Sequence, residues 1–228
     1  MNKRTLFTIP FAGGNRFSFN KYNEFLEDNF TIYPLELAGR GERFSEALMT
    51  DIYDVRDDLF NQIKENLDGE YVIYGHSLGG LLAYLLILFL EDKHLPLPTK
   101  VVISGRANPS TKPTTIKHNL SKDEFINSLK ELGGMPSDFF KHPELFELFE
   151  PILRTDFQLV ECFDFKEKRQ IDTKLSVLYG KDESFSPIEA MRWSEFTTDK
   201  TIDFHEFQGD HFFIYNHIET ICKIIRAK

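Results

Sequence analysis

Hydrophobic positions along this chain follow two periods. Short apolar or alternating runs at 5–9, 30–37, 70–74, 100–105, 174–180 and 201–207 predict six strands. Between them, apolar residues recur at helical spacing. Phe19, Tyr22, Phe25 and Leu26 form one such face, and Val55, Leu59, Phe60, Ile63 and Leu67 form a second within 52–67. Ile214, Ile218, Ile221, Ile224 and Ile225 stripe a closing helix. The stretch 81–90 is apolar almost all round, which predicts a fully buried helix. Pro34 cannot donate to a ladder and so marks the second strand as short of central at that point. Strands alternating with helices predict an α/β fold with a mainly parallel sheet covered on both faces.

The alternation stops at about 107–171, where helical pieces follow one another without a convincing strand. Ser121-Lys122-Asp123-Glu124 is a capping box leading into Phe125, Ile126, Leu129 and Leu132, and Gly133-Gly134 ends that helix. From Pro143 to Phe165 the spacing resumes through Leu145, Leu148, Phe149, Ile152, Leu153, Phe157 and Val160. The chain therefore reads as a single domain, 1–228, with a helical insertion that is either a lid over a site or a fixed buttress.

The formal net charge of −9 argues against a general nucleic-acid binder, because phosphate would repel it. Cys162 and Cys222 have neither metal-ligand spacing nor a disulfide framework, which suits a reducing cytoplasm. No secretory signal is visible, and the longest apolar stretch, 78–90, is too short to span a bilayer. A monomer without membrane attachment, metal or bound cofactor is expected.

Gly75-His76-Ser77-Leu78-Gly79 lies where the third strand meets the buried helix. A strand turning sharply into a helix holds its central serine out above the sheet, beside the free N–H groups of the first turn. Such a serine needs a base, and the base needs a carboxylate to fix its tautomer. Strand five ends at Gly180-Lys181-Asp182 and strand six at Gln208-Gly209-Asp210-His211. Loop position selects Asp182 and His211, with Glu183 and Asp210 as the nearby rivals. His76 is too close to Ser77 along the strand to serve as base. The N–H of Leu78 and one from Phe11 or Ala12 in the loop Phe11-Ala12-Gly13-Gly14 would form the oxyanion hole.

With these residues in hand, the chain resembles the type II thioesterases, free-standing editing enzymes of nonribosomal peptide and polyketide synthases with an α/β-hydrolase fold. The resemblance runs through Pro10-Phe11-Ala12-Gly13-Gly14, Leu37-Ala38-Gly39-Arg40-Gly41-Glu42-Arg43 and Gly75-His76-Ser77-Leu78-Gly79-Gly80. It continues through Leu132-Gly133-Gly134-Met135-Pro136, Leu153-Arg154-Thr155-Asp156-Phe157, Gly180-Lys181-Asp182 and Gly209-Asp210-His211-Phe212-Phe213. The family usually has Pro where Ala38 stands and often Met where Leu78 stands. The resemblance implies Ser77, Asp182 and His211 as the triad, with Ala12 and Leu78 as oxyanion donors. It implies acyl groups on the phosphopantetheine arms of acyl-carrier or peptidyl-carrier proteins as substrates. A fatty-acyl or small-molecule thioesterase or esterase of the same fold is the rival enzyme, and an inactive carrier-binding module the rival of another class. Arg40 is expected either to brace its own loop or to contact the partner.

Overall fold

The computed structural model describes residues 3–166 and 168–228. The strands are β1 (Arg4–Ile9), β2 (Phe30–Pro34), β3 (Tyr71–His76), β4 (Lys100–Ser104), β5 (Leu175–Gly180) and β6 (Asp203–Phe207). They form one sheet in the order β2-β1-β3-β4-β5-β6, with every neighbouring pair parallel. Parallel neighbours cannot be joined by hairpins, so each connection crosses a face of the sheet. The strand carrying Pro34 is at the edge, where a missing N–H costs nothing. The strand ends there, and 35–37 continue as loop rather than as the longer strand the sequence suggests.

The helices are α1 (Asn23–Leu26), α2 (Ile52–Ile63), α3 (Leu78–Asp92), α4 (Lys122–Leu132), α5 (Pro143–Glu161), α6 (Pro187–Met191) and α7 (Ile218–Arg226). Alternation along β1 and β3 divides the core. Phe7, Ile9 and Ile73 face one side with α2 and α3. Leu6, Val72 and Tyr74 face the other with Phe19, Tyr22 and the stripe of α7. Strands β3, β4 and β5 are buried at every position, which is why they read as continuous apolar runs. Among the described residues, no helix is long and apolar enough to cross a membrane.

The insertion carries α4 and α5. Ser121 caps α4 with Glu124 as a reciprocal box, and Gly133 ends it at φ 81°. Its aromatics form a core of their own: Phe125, Leu129, Phe146 and Leu153 are buried, with Phe139, Phe140, Phe149 and Phe157 packed around them. The buried stripe of α5 includes Phe146, whereas Leu148 faces solvent. α6 is absent from the hydrophobic pattern because it is a single short turn. Its signal was chemical instead: Ser186 and Glu189 form a second capping box around Pro187.

Candidate active site

The C-terminal ends of β1, β3, β4, β5 and β6 lie along one edge of the sheet, where the loops that leave them gather. Ser77 sits between β3 and α3 at φ 56° and ψ −114°, a conformation that costs a non-glycine residue about 1–3 kcal/mol. It occupies the N-cap position of α3, yet its side chain caps nothing. The hydroxyl thus has no hydrogen-bond partner among the described residues, and Ser77 is partly exposed. The glycines of the motif are fixed by contact. A Cβ on Gly75 would run into the carbonyl of Gly79, and one on Gly79 would run into the carbonyls of Ile9 and Pro10. The first turn of α3 is therefore pressed against the end of β1, which brings Leu78 beside the loop that follows β1.

That loop is a closed turn. Gly14 N–H donates to the Phe11 carbonyl at 2.8 Å, and Gly13 adopts φ 76°. A positive φ at the third position, with Ala12 at the second outside the positive-φ region, marks a type II turn. The N–H groups of Phe11 and Ala12 have no acceptor among the described residues. Both alternatives for the second oxyanion donor therefore keep a free N–H.

His211 lies on the loop after β6, and its ring centroid is 4.8 Å from that of His76, the residue before Ser77. Its Nδ1 is 2.9 Å from Glu183 Oε2 and 3.1 Å from Oε1. The side chain of Glu183 is 1% exposed. This corrects the expectation for Asp182, which the structure does not bring to His211. The Asp182 N–H is bound to the Gly209 carbonyl at 3.0 Å, and the residue is exposed. That bond continues the β5–β6 pairing one step past the sheet and turns the next side chain, not this one, toward the histidine. Glutamate has the extra methylene to reach. Asp210, the other rival, is occupied as an acceptor for Phe212 N–H.

His76 is fully buried, with Nδ1 2.9 Å from Ser104 Oγ, which donates in turn to Tyr74 at 3.1 Å. Burial, and secondarily the neighbouring His211, hold its pKa well below the ordinary imidazole value. Both Ser104 and His76 are sealed from solvent, so this pair supports the floor of the site rather than acting on a substrate. Of the other histidines, His118 pairs with Glu161 and His217 donates to the Gln208 carbonyl, both away from the elbow.

Two glycine contacts press the insertion onto the loops of the site. Gly134 packs so tightly on the Phe212 ring that a Cβ would overlap it, and Leu153 meets Gly13 in the same way. Between them is a cavity of about 160 Å³ lined by Phe11, Ala12, Gly13, Leu129, Leu132, Met135, Leu153, Phe157 and Phe212, among others. Its walls hold the loop after β1 but not Ser77. Of the insertion aromatics, Phe157 alone lines it; Phe139, Phe140 and Phe149 serve the insertion's own core.

Sequence reasoning missed the partner of Arg40. Its guanidinium is buried and bidentate to Asp156 of α5, at 2.5 and 2.8 Å. It neither faces a partner nor relies on loop carbonyls alone, although those of Gly14 and Ala38 lie 3.4 and 3.5 Å away. Removing one member of such a buried pair costs roughly 3–5 kcal/mol. Arg43 is held by Glu46, Asp58 and the Glu36 carbonyl.

The thioesterase domain family matches residues 4–228. Among solved structures, ClbQ from the colibactin nonribosomal peptide/polyketide pathway superimposes with a TM-score of 0.91 at 31% identity, covering 99% of this chain and 96% of that one. The type II thioesterase BorB from the borrelidin cluster gives 0.89 at 26% identity, over 98% of this chain and 91% of that one. The medium-chain S-acyl fatty acid synthase thioesterase of Rattus norvegicus is 27% identical over 92% of this chain and 81% of its own length.

Proposed function

Because this chain belongs to the thioesterase domain family, we propose that it is a type II thioesterase that clears acyl groups from the phosphopantetheine arms of carrier proteins. The observations that support the chemistry are Ser77 on a strained elbow and, 4.8 Å from the ring of its neighbour His76, the ring of His211, whose Nδ1 is bound to a buried carboxylate.

Ser77 Oγ attacks the thioester carbonyl carbon while His211 Nε2 takes its proton. Glu183 accepts from Nδ1–H, which leaves Nε2 as the basic nitrogen and stabilises the imidazolium that forms. Charge developing on the carbonyl oxygen is met by Leu78 N–H and by the free N–H of Ala12 or Phe11. The carbon–sulfur bond breaks, and the pantetheine thiol leaves with the proton from His211. Water then attacks the acyl ester, giving its proton to His211, which returns it to Ser77 as the acid departs. The apolar cavity beside the oxyanion loop accommodates the acyl chain. Free thiols at Cys162 and Cys222 fit a cytoplasmic location.

Carrier proteins of such synthases are usually acidic, and this chain carries −9, so net charge does not drive their encounter. Recognition falls to local apolar or basic contacts, with a shallow salt dependence. The experiment compares kcat/KM for one acyl group on a carrier protein, on coenzyme A and on free pantetheine. The carrier-bound form should be preferred by about tenfold or more. Equal cleavage of the small thioesters would move the assignment to a fatty-acyl or small-molecule thioesterase.

A further inference from the structure

Two sequence motifs with no catalytic residue in them meet at the oxyanion loop. Arg40, from the loop after β2, and Asp156, from the middle of α5, form an ion pair with side chains 5% and 1% exposed. The same Asp156 Oδ2 accepts the backbone N–H of Gly13 at 2.7 Å. Gly13 N–H belongs to the central peptide of the turn Phe11-Ala12-Gly13-Gly14. In a type II turn that peptide is flipped relative to a type I turn, and the two forms differ in φ at the third position. Glycine tolerates both, so the sequence alone leaves the turn free to flip.

We propose that Asp156, charge-balanced by Arg40, is a positioning residue that locks this turn in the type II form and so anchors the loop whose preceding peptides carry the free N–H groups of the oxyanion hole. This rests on the reading of the site as a Ser77 thioesterase. A flip would carry Gly13 N–H away from Asp156 and leave a buried carboxylate oxygen short of a donor, which the low-dielectric surroundings penalise. Arg40 grips both carboxylate oxygens and aims them, so the acceptor is stationary. The insertion is in this way part of the catalytic scaffold: α5 reaches the loop after β1 and holds the backbone that must be rigid when the oxyanion forms.

The test is a pair of variants with kinetics and a spectroscopic readout. Arg40→Met combined with Asp156→Leu replaces the ion pair by apolar groups, a change that buried pairs often tolerate without loss of stability. With the fold intact by thermal melt, kcat should fall about 10- to 100-fold with KM within about threefold, because the lost interaction is made in the transition state. Binding of a tetrahedral boronate adduct of Ser77 should weaken in step with kcat, while a non-hydrolysable acyl-pantetheine amide should bind as before. Asp156→Asn, which retains an acceptor for Gly13, should recover most of kcat in its folded fraction. In the unmodified protein the Gly13 amide proton should exchange slowly. A folded double variant with kcat within threefold of the parent would overturn the proposal, as would a Gly13 amide that exchanges like an open glycine, even if no variant folds. An inactive parent enzyme would instead refute the thioesterase reading, so the two failures are distinguishable.

Discussion

Glu183 Oε2 lies 2.9 Å from His211 Nδ1, while the neighbouring Asp182 is turned to solvent. One residue of difference reassigns the carboxylate proposed to orient the histidine. The expected outcome is asymmetric. Glu183→Gln should lower kcat by about 10²–10⁴, the range that follows loss of the group holding the histidine tautomer. Asp182→Asn should leave kcat within about threefold, as an exposed substitution away from the reacting atoms does. Steady-state kinetics of both variants on one acyl thioester decides between them.

The backbone at Ser77 predicts a trade between stability and function. Its φ of 56° is expensive for serine and cheap for glycine. Ser77→Gly should therefore be more stable than Ser77→Ala by about 1 kcal/mol, measured by chemical denaturation, although both lack the nucleophile. Equal stabilities would mean that the elbow holds no strain.

His76 gives stability a pH dependence whose sign follows from its burial. Its folded pKa lies well below the ordinary imidazole value, so below about pH 6.5 the unfolded chain binds a proton that the folded chain refuses. Stability contributed by the neutral ring is present above that pH and is lost as pH falls, approaching about 1.4 kcal/mol per pH unit for one group. Denaturation curves at pH 7 and pH 5 should show a smaller difference for His76→Asn than for the parent. An unchanged difference would show that the ring accepts its proton within the fold.

The strands and the elbow were legible because each has a local cause. β3, β4 and β5 are buried on both faces and so are apolar at nearly every position, and glycines at 75 and 79 are required by the carbonyls they touch. The choice between Asp182 and Glu183 was not legible, since it turns on one hydrogen bond, from Asp182 N–H to the Gly209 carbonyl, that sets which side chain faces inward. Nor was the pairing of Arg40 with Asp156, whose two members are 116 residues apart in the chain. Each was visible as a motif residue, but nothing in either motif names the other. The short helix α6 had a readable signal in Ser186 and Glu189, which a search by hydrophobic period alone passes over.

Everything proposed for the site depends on Ser77 carrying out covalent thioester hydrolysis. Its most direct test is kcat for Ser77→Ala on an acyl-carrier thioester, measured against the parent enzyme at the same pH. A folded protein whose kcat is lower by about 10⁴–10⁶ is expected. Retention of more than about a tenth of the parent kcat would contradict it, since water activated directly by a general base would then suffice.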